Sequence, residues 1–463
     1  MLQHRDTLVL MPTGSGKSLC YQLPGLKMDG ITLVISPLIS LARDQAEHMS
    51  ESGHRVAILN SSRRKRELDQ SRKAIQRCEV DYVFTTPEQM QSSDLTVLLR
   101  DVGVSMMVVD EAHCVSQWGH DFRPDYLSLH HARRRLGDPV IMALTATAGQ
   151  RTRDEICETL HLSGVNVIST GIDRPNLSLR VEACTADGDK DDRLAELLDC
   201  DSETAIVYCS TTKVAQALRD RFSGGRRALC YHGRMRKADR EASQAAFMDG
   251  DPAVMFATNA FGMGIDKPDI RSVIHYNLPG SLEAYYQEVG RAGRDGQPAV
   301  CTLLYDRTDI ATRKRFAGGR IKPTELATSH RVMVLTAVDH ADESAEGSPI
   351  FTMKEMMTHS PLSRSKLQSC LQMLAARGVA APAGRRRWKL LIEDIDTRLV
   401  DSIAATAARR AEDRKIMLEQ MVRYAEASTC RWQILRDHFG DEDPPVDQPC
   451  QCDRCVSPMA AAA

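Results

Sequence analysis

The chain has 463 residues, 42% of them hydrophobic and 26% charged, with a formal net charge of -2. At roughly 100–200 residues per domain this length calls for several modules, and the composition excludes disordered and collagen-like chains. Near-neutrality means that any polyanion partner must be held by local basic surfaces, because the field of the whole molecule is weak.

From residue 7 to about 169, short apolar or β-branched runs (7–11, 31–36, 56–59, 82–85, 106–109 and 140–144) alternate with helical stretches. That alternation predicts a parallel sheet covered on both faces by helices. It pauses at Gly171-Ile172-Asp173-Arg174-Pro175-Asn176 and resumes with runs at 205–208, 227–231, 254–257, 272–276 and 299–305, which predict a second sheet of the same kind. After Pro323 the β pattern stops. Residues 329–342 and 352–358 read as helical, 363–377 as an amphipathic helix burying Leu367, Cys370, Leu371 and Leu374, and 379–392 as two short strands. Helix followed by hairpin is the outline of a winged helix. A long helix at 404–427 then runs into a cysteine cluster, and 458–463 is a tail. The longest apolar runs fall well short of the roughly 20 residues of a membrane helix, and no signal-like run opens the chain. A cytoplasmic location is expected, on the nucleoid in a bacterium.

The first strand leads into Met11-Pro12-Thr13-Gly14-Ser15-Gly16-Lys17-Ser18, a loop that opens a helix. Backbone N–H groups and the helix N-terminus there can wrap the phosphates of a nucleotide, with Lys17 neutralising their charge and the Ser18 hydroxyl on Mg2+. Met11 stands where the full loop pattern has glycine. Asp110 and Glu111 end a later strand of the same sheet, which aims both at the cleft holding Lys17. Asp110 suits the Mg2+ and Glu111 the attacking water. His113 has two readings, a sensor of the γ-phosphate or a hydrogen-bonding cap of the loop. From the second sheet, Arg291 and Arg294 in Gln287-Glu288-Val289-Gly290-Arg291-Ala292-Gly293-Arg294 supply cationic charge for phosphoryl transfer, with Gln287 a further catalytic candidate on the same stretch. With Arg294 as arginine finger, hydrolysis requires the two sheets to close around ATP, which couples chemistry to movement.

The string from Asp110-Glu111-Ala112-His113 through Trp118, His120, Phe122 and Arg123 to Tyr126 resembles the DEAH box and aromatic-rich loop of RecQ helicases. Leu19 to Pro24, Leu144 to Ala148, Ala257 to Pro268 and Gly290 to Gly296 are similar to further RecQ motifs, in the family's order, and the likeness spans most of residues 5–305. The resemblance implies two RecA-like α/β motor domains (1–170 and 171–320), a winged-helix-like DNA-binding segment (321–395) and a small helical zinc-binding module (396–457). It also implies ATP-dependent DNA unwinding with 3'-to-5' movement, in repair or recombination. By the same resemblance Ser36, Pro37 and Thr86 touch the tracked strand from the first sheet, Thr258 and Asn259 from the second, and Asp266 lies near the nucleotide.

Trp118, His120, Phe122 and Arg123 are residues that stack on or grip unpaired bases, at about 1–3 kcal/mol per stacked base; the alternative is that the aromatics anchor their own loop. Residues 361–392 carry seven basic side chains and no acidic one. Arg385, Arg386, Arg387 and Trp388 on the hairpin are placed to hold duplex phosphates and press on the terminal base pair, or else form a solvated basic wing. Of the fourteen cysteines only Cys430, Cys450, Cys452 and Cys455 cluster, which in a reducing compartment favours metal over disulfides. They resemble the family's structural zinc site. The single residue between Cys450 and Cys452 strains joint coordination, with His438 or a water as the substitute ligand, and the wing-like segment precedes the cysteines where RecQ proteins have the reverse order. The upstream glutamine that reads adenine in RecQ proteins has no counterpart here, since Gln3 lies too close to the first strand, so weak base discrimination is expected. A DEAD-box-like RNA helicase and a DNA-binding scaffold without unwinding activity are the competing readings.

Overall fold

A computed structural model describes residues 1–463 except 38, 61–62, 117–122, 147, 186–187, 200–202, 226, 263–264, 318–320, 341–349, 385–386, 442–448 and 461–463. The chain divides into two compact units, Met1–Arg313 with Met417–Ala463, and Lys314–Ile416.

The first unit holds two parallel sheets. Sheet A contains β1 (Thr7–Leu10), β2 (Ile31–Ile35), β3 (Val56–Leu59), β4 (Tyr82–Thr85), β5 (Val104–Val109), β6 (Val140–Thr145) and β7 (Asn166–Ser169), in the order β3-β4-β2-β5-β6-β1-β7. Helices α1 (Lys17–Gly25), α2 (Ile39–Glu51), α3 (Lys65–Gln76), α4 (Ser93–Val102), α5 (Leu129–Arg135) and α6 (Gln150–Thr159) connect them. Continuous apolar strands make sense here because successive residues feed two cores. Leu8, Leu33, Ile35, Met107 and Val109 pack on one face, while Val9, Val34, Phe84, Val108 and Leu144 pack on the other.

Sheet B repeats the plan with β8 (Leu177–Ala183), β9 (Thr204–Tyr208), β10 (Ala228–Tyr231), β11 (Val254–Ala257), β12 (Ile270–His275) and β13 (Ala299–Tyr305), ordered β10-β11-β9-β12-β13-β8. Its helices are α7 (Asp189–Asp199), α8 (Thr212–Arg221), α9 (Lys237–Met248), α10 (Leu282–Val289) and α11 (Thr308–Ala317). Two edge strands, β7 and β8, lie outside the predicted runs. All four residues of β7 are exposed, and β8 is only partly buried, so neither shows the continuous apolar pattern of an interior strand.

The second unit begins with α12 (Pro323–Asp339), β14 (Ile350–Thr352), α13 (Met353–His359), α14 (Arg364–Ala375), β15 (Ala380–Pro382) and β16 (Arg387–Leu390). The three strands form an antiparallel sheet ordered β14-β16-β15, which with these helices makes a winged-helix arrangement. Helix α14 is capped by the Ser363 hydroxyl, which accepts from Lys366 N, and buries Leu367, Cys370, Leu371 and Leu374, the face expected from its spacing.

Helix α15 (Thr397–Glu426) carries the chain back to the first unit, where α16 (Arg431–Phe439) and α17 (Asp453–Ala460) pack against β8. Leu418, Met421, Tyr424, Trp432, Leu435 and Phe439 join the sheet B core beside Tyr285 and Tyr286. No helix among the described residues is long and apolar enough to cross a membrane.

Candidate active site

Strands β1, β6 and β5 lie side by side, so the loops at their carboxyl ends converge, as ligand loops do in open α/β sheets. The loop after β1 is held by Met11 N donating to Thr145 O at 3.1 Å. Gly14 and Gly16 adopt φ of +82° and +83°, a left-handed backbone that costs glycine little and lets Gly16 cap α1. Ser15 folds inward, its hydroxyl donating to Pro12 O at 2.6 Å. Lys17 opens α1 with Nζ 3.3 Å from Met11 O. Burial pulls its ammonium below the ordinary lysine range, and the Glu111 and Asp110 carboxylates oppose that shift.

Asp110 is buried at the end of β5 and accepts from Glu111 N at 3.0 Å. Burial, then the neighbouring Glu111, pushes its pKa up to about 7. Tyr126 fixes the turn by donating its hydroxyl to Asp110 O at 2.9 Å. Glu111 itself has φ +48°, a conformation costing a non-glycine residue on the order of 1–3 kcal/mol and found where function holds it.

His113 lies between residues of both sheets. The Gln287 amide lies 3.3 Å from Nε2, while Nδ1 lies 2.9 Å from Thr145 Oγ1 and 3.4 Å from Glu111 Oε2. With the amide donating, Nδ1 carries the proton toward Thr145 and Glu111. Gln287 reaches this point on α10, whose start is capped by Ser281. Beyond α10, Arg294 donates to Asp266 Oδ1 at 2.6 Å, and Arg291 donates to Gly262 O. Arg291 is buried and the Arg294 side chain is 9% exposed, and among the described residues the Nε–H of each has no hydrogen-bond partner. Burial, then Arg291, draws the pKa of Arg294 down.

Thr13, Gly14, Gly16, Lys17, Ser18, Asp110, Glu111, Asp266, Gln287, Arg291 and Arg294 line one cavity of about 310 Å³. The lobes touch across it: a methyl group on Gly14 would sit 3.0 Å from Arg294 Cγ, and one on Gly290 3.3 Å from Thr13 Oγ1. Sequence reasoning assigned no role to Arg174, whose guanidinium donates to Thr13 O at 3.0 Å, Ala292 O at 3.0 Å and Gly293 O at 2.9 Å. The only local signal was a cation in the pause between the two β patterns.

The expected strand contacts fare unevenly. Ser36, Thr86 and Thr258 are 0%, 5% and 8% exposed, so their side chains are not offered to a passing strand, contrary to expectation. Each directly follows the last residue of a sheet strand. Asn259 is exposed. Arg123 donates to Pro37 O at 2.8 Å, joining two of the expected contacts to each other. Trp388 is a further correction. At 8% exposure it belongs to the core of the second unit, paired with Phe351 across the sheet, because alternation along β16 turns it inward while Arg387 faces solvent. Trp118, His120, Phe122, Arg385 and Arg386 lie outside the described residues.

Cys430, Cys450, Cys452 and Cys455 come together with all four sulphurs within 4.8 Å of one another. A tetrahedron of zinc–sulphur bonds about 2.3 Å long has edges of about 3.8 Å. The separations of Cys430 from Cys450 and Cys452, 3.6 and 3.8 Å, suit that ion. The one-residue spacing therefore does not keep Cys450 and Cys452 apart. His438 is not at the cluster: its Nε2 lies 2.8 Å from Glu283 Oε1. Burial pushes the Cys452 thiol up, but N–H groups of Arg431, Arg454 and Cys455 outweigh it and favour the thiolate. Arg431, fully buried, ties α16 to α17 through Asp453 at 2.9 and 3.0 Å.

Residues 1–156 match the DEAD/DEAH box helicase family, 189–296 the helicase conserved C-terminal domain, and 386–456 the RecQ zinc-binding family. RecS of Bacillus subtilis, a probable ATP-dependent DNA helicase, is 44% identical over 307 residues, covering 66% of this chain and 62% of that protein. The ATP-dependent DNA helicase RecQ of the same organism is 41% identical over 314 residues, covering 67% of this chain and 52% of its own length. The chain thus spans between half and two thirds of these relatives. Among solved structures, the DUF1998 helicase MrfA bound to DNA superposes with a TM-score of 0.56 at 18% identity, over 86% of this chain and 56% of that one, a likeness of fold.

Proposed function

Because this chain belongs to the RecQ family of helicases, we propose that it is an ATP-dependent DNA helicase moving 3'-to-5' along one strand and displacing the other, in DNA repair or recombination. The observation that carries the reading is the cavity between lobes, where Lys17, Asp110 and Glu111 from sheet A meet Gln287, Arg291 and Arg294 from sheet B. Such a cavity is complete only when the lobes are together, which is what ties hydrolysis to movement.

In this reading the loop from Thr13 through Gly16 wraps the phosphates and Lys17 neutralises them. Asp110 and the Ser18 hydroxyl, hard oxygen donors suited to Mg2+, would hold that ion, which would supply positive charge to the phosphates of ATP. Glu111 orients a water and takes its proton as the water oxygen bonds to the γ-phosphorus, while the bond to the bridging oxygen breaks and its electrons leave with ADP. Arg294 and Arg291 stabilise the charge on the transferring group, and their Nε–H groups, unpartnered among the described residues, leave donor capacity for it. His113 links the general base to Gln287 of the other lobe.

Trp118, His120 and Phe122, directly after this turn, bind unpaired bases and report their presence to Glu111, and Arg123 and Pro37 hold the loop to lobe 1. Asn259 contacts the strand from lobe 2. Arg385, Arg386 and Arg387 hold duplex phosphates from the wing. We divide the chain into motor lobes at 1–170 and 171–320, a DNA-binding winged-helix-like segment at 321–395, a zinc module at 396–457 and a tail at 458–463, and place the protein in the cytoplasm. The cysteine module and its family match disfavour the RNA-helicase reading.

The test is an unwinding assay on duplexes with single 3' or 5' tails, run beside DNA-stimulated ATPase. The 3'-tailed substrate should be opened, and Lys17→Ala should bind DNA yet lose hydrolysis. Unwinding of the 5'-tailed substrate alone, or unchanged hydrolysis in Lys17→Ala, overturns the reading.

A further inference from the structure

Arg174 belongs to neither sheet. It lies in the segment between β7 and β8, and its guanidinium reaches four main-chain carbonyls: Thr13 O of the phosphate loop at 3.0 Å, Gly290 O at 3.5 Å, Ala292 O at 3.0 Å and Gly293 O at 2.9 Å. One of these is in lobe 1 and the others bracket Arg291 and precede Arg294. We propose that Arg174 is a positioning residue for ATP hydrolysis, a clasp that sets the turn carrying Arg294 against the phosphate loop when the lobes close.

Four further contacts make the clasp directional. Asn176 donates to Gly293 O at 2.8 Å and Gln297 O at 2.9 Å, holding the turn at Gly293, where φ is +53°. On the opposite side, Asp173 pairs with Arg436 of α16 at 2.9 Å, and Ile172 N donates to Asp441 at 2.9 Å. The backbone bearing Arg174 is therefore anchored before the guanidinium acts. A planar fork suits this task, because its N–H groups diverge in fixed directions toward several acceptors, whereas an ammonium concentrates its charge at one point. Every atom that Arg174 contacts in the loop and in the turn is main chain, so the contact fixes backbone position and leaves Arg291 and Arg294 to meet the nucleotide.

The inference rests on the ATPase reading above, and its test separates the two. In the full chain, Arg174→Lys and Arg174→Gln are compared with the parent and with Lys17→Ala by DNA-stimulated ATPase, fluorescent ADP binding and thermal melting. Both Arg174 variants should lose about tenfold or more in kcat, the worth of one charge-assisted hydrogen bond made in the closed state. Affinity for the ADP analogue should stay within about threefold, since uniform binding and positioning separate in this way. Lysine should not rescue. A kcat within twofold of the parent, full rescue by lysine, or a kcat loss matched by equal loss of ADP affinity overturns the proposal. If Lys17→Ala also keeps its activity, it is the ATPase reading that has failed; if Lys17→Ala is inactive while Arg174→Gln turns over normally, only the clasp is lost.

Discussion

Replacing Asp453 with alanine isolates the interaction that joins the two halves of the cysteine module. Arg431 is 0% exposed and gives Nε and Nη2 to the two Asp453 oxygens at 2.9 and 3.0 Å, with Nη1 on Tyr424 O and its carbon 5.4 Å from the Tyr424 ring centre. Removing the carboxylate leaves a guanidinium in a site shaped to exclude water. Breaking a buried pair from one side costs about 3–5 kcal/mol. At roughly 2–4 °C per kcal/mol for a domain of this size, the melting temperature should fall by roughly 6–20 °C.

The exposed pair Arg55–Asp81, with side chains 58% and 31% exposed, is the internal control: Asp81→Ala should cost no more than about 1 kcal/mol. Urea unfolding followed by tryptophan fluorescence includes a reporter beside the pair, because Trp432 adjoins Arg431 and is 7% exposed. Loss should extend to the metal site, since Asp453 follows Cys452 and Arg431 N–H supports the Cys452 sulphur. A double replacement, Arg431→Met with Asp453→Leu, should recover most of the stability, because desolvating the pair offsets much of its attraction. Asp453→Ala indistinguishable from Asp81→Ala would refute the argument.

Two more outcomes follow from the site. Gly14→Ala should lower kcat for ATP by roughly tenfold or more with DNA binding retained, since alanine at φ +82° is strained by roughly 1–2 kcal/mol and its methyl group meets Arg294 Cγ at 3.0 Å; normal turnover would show that the loop and the arginine turn do not need this approach. Metal analysis should return about one zinc per chain, lost in Cys452→Ser and kept in His438→Ala, because the histidine pairs with Glu283 and not with the cluster; the reverse pattern would exchange their assignments.

The sequence by itself determined the interior strands of both sheets, the buried face of α14 and the cleft motifs. These are local signals: a strand covered on both faces is a continuous apolar run, a helix buried on one side repeats at helical spacing, and a phosphate loop needs its glycines and lysine in fixed order. Edge strands β7 and β8 escaped because exposure of the one and partial exposure of the other remove the apolar run; β14 was not read from the sequence either. Only the tertiary structure decided which side chains face what. Ser36, Thr86 and Trp388 have types suited to nucleic acid, yet packing turns them inward. Cys450 and Cys452 share a site despite their spacing because α16 and the start of α17 bring Cys430 and Cys455 to them. Arg174 gains its meaning from carbonyls more than a hundred residues away in both directions. A carbonyl acceptor is the same atom group in every residue, so no residue type in the sequence marks where such a contact will form.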